Sequence, residues 1–325
     1  MLPIWRIAGA ALVAFSGSLM QASAQEYPSK PVTLVVPFAA GGPTDVAARI
    51  VAEAMSQSLG QPVVIDNRAG ASSMIGATHV ATAKNDGYTL LLGTTTTYAT
   101  NPHVFKSNIA YDPLKLTPVA MVVKVPLAFA VPKDSAAKAS KEFAEQVKAK
   151  SGGQLQFGSA GAGSHSGLAC FLAGRGLGLD MQEIPYKGTA PALTDLMAGK
   201  VGALCDSVGT VSGHYKSGSV KIIGVLDSQR SPAMPDVPTF AESGYPDLVI
   251  NNWFALTGPE GMASDVVAKL SASVKAALDK KEVAEKLTGL GFMPDYMPQD
   301  ELRAFMKKEH QRFDAVVKQA GITVQ

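Results

Sequence analysis

The chain has 325 residues, 46% of them hydrophobic, which is enough apolar material for two domains rather than one. Lys and Arg number 29 against 27 Asp and Glu, a net charge of +2, with no local run of basic residues. That balance excludes a nucleic-acid partner held on a basic face.

The first residues read as a targeting segment. Arg6 precedes an apolar stretch over 7–20, and Ala22, Ser23 and Ala24 fit the small-x-small cleavage rule. A signal peptide is therefore expected over 1–24, with cutting before Gln25. The stretch is short for a membrane span and contains Ser16, Gly17 and Ser18. No Cys lies near the cut to take a lipid.

A β-rich run at 32–38 stops at Ala39, Ala40, Gly41 and Gly42. A helix follows over 44–58, with Val46, Ile50, Val51 and Met55 at helical spacing and Pro43 suited to the first turn. Next come a strand at 62–66, a short helix at 74–83, and a strand at 88–92 after the turn signal Asn85, Asp86, Gly87. This βαβαβ order predicts a parallel sheet with helices on both faces. The Val-rich stretch 119–131, interrupted by Pro126, reads as a strand passing from one lobe to a second. A helix at 139–150 ends at Gly152 and Gly153, and the alternation restarts: strand 155–158, glycine loop, helix to about 174, strand 183–186, helix 190–198, strand 201–205, strand 221–226. A Pro-rich passage, 231–246, leads to 252–256. Two helices, 264–279 and 299–319, close the chain; the second places Leu302, Phe305, Met306, Phe313 and Val317 on one face, with Gly321 as its stop. With no sheet of their own nearby, they should pack back on the first lobe.

The expected fold is α/β, two lobes joined by crossing strands with a ligand cleft between them. The first lobe takes 25–125, the second 126–228, and 229–325 supplies a crossover strand and the helices that return to the first lobe. Cys170 and Cys205 both lie in apolar, element-like surroundings that suit packed free thiols, although an exported protein could bridge them.

Two glycine loops carry the functional signal. One runs from Pro37 through Phe38, Gly41, Gly42 and Thr44 to Asp45; the other runs from Gly158 through Ser159, Gly161, Gly163, Ser164, His165 and Ser166 to Gly167. Each follows a strand and opens a helix. Glycine lets the backbone approach a ligand closely. The first-turn N–H groups of a helix lack internal partners and sit at the positive end of its dipole, so a carboxylate can accept several bonds there. One loop in each half is what a clamp between lobes needs; taken singly, each is equally a tight strand-to-helix turn. Thr94 to Thr97, Thr95 included, follow the third strand at the end where open α/β sheets bind ligands. Lys187, in another strand-to-helix turn, is a candidate charge partner, and Asp206 ends its strand nearby. His165 is a reasonable donor to a carboxylate.

Three competing chemistries fail on spacing. A dinucleotide fingerprint starts at Gly161 and Gly163, but its third glycine comes one residue late at Gly167, and Glu183 begins its strand where the ribose acid should close one. The run Gly163-Ser164-His165-Ser166-Gly167 puts His, not Ser, at the centre of a nucleophile elbow. The five histidines, His79, His103, His165, His214 and His310, show no metal-ligand spacing. No cofactor is expected.

Laid out in order, the chain resembles the extracytoplasmic solute receptors of the tripartite tricarboxylate transporters, the TctC or Bug family. The resemblance rests on Tyr27-Pro28, Val36 to Phe38, Gly41-Gly42 with Thr44, Asp45 and Arg49, Asp66-Asn67-Arg68, Asp86 to Thr89, Asn101-Pro102, the second glycine loop, Pro185 to Gly188, and Pro235 to Thr239 with Glu242 and Gly244. It implies a periplasmic-binding-protein-like fold whose two loops grip a carboxylate through backbone N–H and hydroxyl groups. Carried over, the contacts would be Phe38, Gly41, Gly42, Thr44, Asp45, Ser159, Gly161, Gly163, Ser164 and His165, with Asp206 at an acidic position of the second lobe. After the second loop, relatives often carry an acid where this chain has Cys170-Phe171. The resemblance also implies a periplasmic monomer that delivers a small organic carboxylate, mono- or dicarboxylic and aromatic included, to membrane permease subunits. Two rival readings have discriminating features: a sensor receptor would lack neighbouring permease genes, and a hydrolase would turn over esters through Ser164 or His165.

Overall fold

The computed structural model describes residues 27–320 except Ala162 and Lys187; the expected signal segment and the stop at Gly321 lie outside the described residues, as does Lys187. The chain first forms β1 (Val32–Val36), α1 (Pro43–Leu59), β2 (Val63–Asn67), α2 (Met74–Ala81), β3 (Thr89–Thr94), α3 (Asn101–Val104) and β4 (Thr117–Val125). It continues through β5 (Leu127–Pro132), α4 (Ser140–Ser151), β6 (Gln154–Ser159), α5 (His165–Gly176), β7 (Asp180–Pro185), α6 (Thr189–Met197), β8 (Ala203–Ser207), α7 (Val208–Lys216) and β9 (Val220–Val225). It closes with β10 (Asn252–Gly258), α8 (Ser264–Leu278), α9 (Lys281–Gly289), β11 (Met293–Pro298) and α10 (Gln299–Ala320).

The strands make two sheets, β11-β4-β10-β3-β1-β2 and β7-β6-β8-β5-β9. Only part of each is parallel: β1 with β2 and β3, and β6 with β7 and β8. The crossing strands β4, β5 and β10 enter antiparallel to their neighbours. The parallel sheet expected from the βαβαβ order is therefore mixed, because each lobe borrows strands from the crossover.

The Val-rich stretch divides where its proline predicts. Pro126 has no N–H to give a ladder, so β4 ends before it in one sheet and β5 begins after it in the other. Its carbonyl accepts the N–H of Val208 at 2.9 Å. The return crossing runs through Ile250, whose N–H bonds Leu226 O at 2.9 Å, into β10.

Four elements were not legible in the sequence: the short helices α3, α7 and α9 and the strand β11. Strand β11 carries Pro294 and Pro298 and is irregular between Pro294 and Met297; it is tolerated because it sits at the sheet edge against β4 alone. Helix α9 buries only Val283 and Leu287 of its nine residues.

Helix α1 ends at Gly60, at φ 69°, whose N–H caps Ser56 O at 3.0 Å. Its buried face includes Ala47, Ala48 and Ala54 beside Val51 and Met55, while Val46 and Ile50 keep partial exposure. Small residues there allow close approach to Val32, Leu34 and Val36 of β1 and to α8. On the opposite face of that sheet, α10 buries Leu302, Met306, Phe313 and Val317, with Phe305 partly covered, against Tyr98 and Trp253. Full burial of such side chains contributes about 1.5–3 kcal/mol each. Tyr98 and Trp253 stack at 5.4 Å. Leu168 of α5 joins the same cluster, so α10 holds the second lobe as well as the first. Cys170 and Cys205 are free thiols in the second lobe's core, and burial with the neighbouring Cys170 pushes the Cys205 thiol up.

Candidate functional site

A cavity of about 430 Å³ lies between the sheets. Its first wall comes from Phe38, Gly42, Pro43 and Thr44 at the start of α1, joined by Ser72, Thr94 and Thr96. Gly161, Gly163, Ser164, His165 and Ser166 at the start of α5 face them, with Asp206 and Ser207 at the end of β8. Val125, Leu127, Asn252 and Phe254 of the crossing strands form the floor. The two glycine loops thus reach the same space from different sheets.

Helix α1 has Gly42 as its cap residue and no side-chain cap bond, so none of its first-turn N–H groups is taken by a capping side chain. The loop before it is held from behind. Asp45 is 2% exposed; its Oδ2 accepts the Gly41 N–H at 2.8 Å and Arg49 Nε at 2.9 Å, and its Oδ1 accepts Asn67 Nδ2 at 2.9 Å. Asn67 Nδ2 also donates to Phe38 O at 3.1 Å. The Arg49 bond, aided by Gly41 and Asn67, holds the Asp45 carboxyl down at about 2 against the cost of burial. Gly41 stands at φ 81°, where a side chain would be strained. Expected as ligand contacts, Asp45 and Gly41 do not line the cavity. Their polar groups bond each other and give the loop its shape.

The second loop is built similarly. Ser159 is fully buried, its Oγ within 3.2 Å of the Gly161 N–H, and it does not line the cavity. Gly161 and Gly163 adopt φ 137° and 71°. Ser164 caps α5 by accepting the Gly167 N–H at 3.2 Å. Glu183, the acid weighed for a ribose, lies behind the first turn of α5, with Oε1 2.7 Å from where a Cβ on Gly167 would stand. Burial pushes its carboxyl up.

His165 lines the cavity but brings no positive charge to it. It is 3% exposed, its ring lies 5.4 Å from that of Phe313, and neither ring nitrogen has a close hydrogen-bond partner. Burial, with the charge of Arg312, lowers its pKa to about 3, so at neutral pH it is no cation. Thr95, by contrast, turns away: its Oγ1 accepts the Trp253 N–H at 3.0 Å, and its N–H bonds Asn252 Oδ1 at 3.3 Å, tying the return strand in place. Cys170 and Phe171 belong to the second lobe's core, so the departure noted after the second loop does not touch the cavity.

Sequence reasoning missed Ser72, Asn252 and Phe254. Thr94 closes β3, so the strand-end rule that singled out 94–97 applies, but to its neighbour rather than Thr95. Thr94 Oγ1 is buried and unpartnered. Ser72 offered no signal: Ala71, Ser72 and Ser73 take positive φ of 45°, 50° and 78° without being glycine. Asn101 Nδ2 fixes that run through Ser72 O at 2.6 Å. Among the described residues, no three His, Cys, Asp or Glu side chains are placed to hold a metal.

Known proteins resemble this chain along nearly their whole length. The Bordetella pertussis protein BugT is 36% identical over 310 residues, 95% of this chain and 95% of its own. MatC from Rhodopseudomonas palustris, solved with bound malate, is 38% identical, superposes with a TM-score of 0.76, and is matched over 90% of this chain and 100% of its own. A second R. palustris protein, solved with adipate, is 32% identical with a TM-score of 0.81, over 92% and 100%. The sequence model described as the tripartite tricarboxylate transporter family receptor, TctC, matches residues 47–322. A two-sheet fold with paired glycine loops, relatives of this identity and a family match over most of its length together place the chain in the TctC family of solute receptors.

Proposed function

We propose that this protein is a periplasmic receptor that captures a small organic carboxylate between its lobes and delivers it to the permease subunits of a tripartite tricarboxylate transporter. It acts as a monomer, without cofactor or chemical turnover. The first lobe takes 25–125 and the returning 229–325, and the second takes 126–228.

One observation carries the reading: the starts of α1 and α5, on different sheets, line one cavity. An anion between them accepts N–H groups from both lobes at once. The contacts proposed are Phe38, Gly42, Thr44, Gly161, Gly163 and Ser164, with Thr94 and Ser166 adding hydroxyls. Phe38, Val125, Leu127 and Phe254 give the carbon skeleton an apolar bed. Closure dries the site and strengthens those bonds. The malate and adipate held by the two R. palustris relatives support the ligand class.

A thermal-shift screen tests it, with succinate, malate, adipate, benzoate and nicotinate against neutral sugars. A ligand at 100 times its Kd adds about 2.7 kcal/mol to stability. At least one carboxylate should raise the melting temperature. Shifts with sugars and none with any acid would overturn the substrate class.

A further inference from the structure

Asp206 is the only carboxyl among the described residues lining the cavity, and none of those residues is Lys or Arg. It stands at the end of β8, partly exposed. Its Oδ2 accepts the Thr189 hydroxyl at 2.5 Å and its Oδ1 accepts the Ser207 N–H at 2.7 Å. Two donors from the starts of α6 and α7 fix its orientation, and each oxygen retains a further lone pair.

An acid in a pocket that receives an acid is costly unless something lies between them. A plain dicarboxylate would bring a second negative charge towards Asp206 and offer it no proton. A ligand carrying a hydroxyl or ammonium beside its carboxylate would instead make a charge-assisted hydrogen bond, about twice as strong as a neutral one. Leaving a buried polar group unpaired is penalised more than an added bond is rewarded.

We infer that Asp206 selects the ligand: the cavity takes hydroxy- or amino-carboxylates, with the carboxylate at the starts of α1 and α5 and the donor on Asp206. This rests on the carboxylate reading above and narrows it. The other polar side chains described in the lining are hydroxyls, the Asn252 amide and the neutral His165 imidazole; none carries a charge, so each discriminates less between a donor and its absence. Burial of Asp206 raises its pKa, and the bonds from Thr189 and Ser207 oppose that rise. A ligand ammonium would oppose it further.

The test is titration calorimetry on the full chain with matched acids: succinate, L-malate and L-aspartate, then glutarate and L-glutamate. The wild type should bind at least one donor-bearing acid about tenfold or more tighter than its plain analogue. Asp206→Ala should bring that ratio to within about threefold. Asp206→Asn keeps the shape and one acceptor oxygen, so it should lose preference for an ammonium while retaining part of that for a hydroxyl. Because Ala also frees Thr189 and Ser207, circular dichroism checks its fold, and the Asn variant and the wild-type panel decide the matter should it not fold. Carboxylates that bind the wild type without discrimination, or a preference that survives in both variants, would overturn the role of Asp206 alone. A wild type that binds none of the five while adipate, benzoate or nicotinate binds also overturns the role of Asp206 alone, whereas one that binds no carboxylate at all overturns the carboxylate reading with it.

Discussion

Gly163→Ala should weaken ligand binding through a contact between the lobes rather than through the ligand itself. The added Cβ meets two problems of different kinds. At φ 71° any L-residue is strained by about 1–2 kcal/mol, and that cost is borne whether the cleft is open or closed. The Cβ would also stand 2.9 Å from Cγ1 of Val104, on α3 of the opposing sheet's layer. Non-bonded carbons prefer about 3.5–4.0 Å, and overpacking of this kind costs about 1–3 kcal/mol. This second cost applies only while the lobes are together, so it appears in affinity, as a loss of about 5- to 150-fold. Val104→Ala removes both methyls, leaving the Val104 Cβ at 3.8 Å as the nearest atom of that residue. Calorimetry with the carboxylate giving the largest thermal shift, in a double-mutant cycle, should therefore show Gly163→Ala/Val104→Ala binding tighter than additivity allows. Strictly additive losses would refute the reasoning, as would a Gly163→Ala variant whose ligand-free melting temperature falls while its affinity does not.

Asp45→Asn should flatten the acid limb of the stability curve. The folded carboxyl is held at about 2 against about 3.9 when unfolded, so its stabilisation is present above about pH 4 and fades as pH falls towards 2. Arg49 is 55% exposed, so screening reduces the contribution to on the order of 1 kcal/mol, read by urea melts at pH 7 and pH 3. His165 acts in the same direction: unfolding frees an imidazole that protonates near 6.5 from one held at about 3, so stability is lost as pH falls below about 6.5. His165→Leu should lessen that slope between pH 7 and pH 4, and an unchanged slope would contradict the buried neutral ring. Cys170 and Cys205 should resist Ellman's reagent in the native protein and both react once it is denatured without reductant; a denatured protein that fails to react would contain a bridge. Phe313→Ala, emptying a fully buried site between α10 and His165, should cost about 3–5 kcal/mol in chemical denaturation.

Much of the lobe architecture was legible because it is written in neighbouring residues. Alternating strand and helix signals set both α/β units, Pro126 marked the crossing, and the five-residue apolar face of α10 announced a packed helix. The two glycine loops were legible for the same reason: a strand, a flexible run and a helix start are contiguous, and together they decide where N–H groups go unpaired. Side-chain direction is not local in that way. Asp45 and His165 lie in the right loops, yet the Asp45 carboxyl turns back to Gly41 and Arg49, four residues to either side, and to the more distant Asn67, while the His165 ring packs on Phe313 from the far end of the chain. Strand β11 was hidden by its prolines, since only the edge position that β4 provides lets it pair. Ser72, Thr94, Asn252 and Asp206 meet around one cavity only because two sheets from distant segments are joined by their crossing strands. Local propensity thus settled which elements form and where the anion-binding backbone lies, whereas long-range packing decided which side chains face the ligand space.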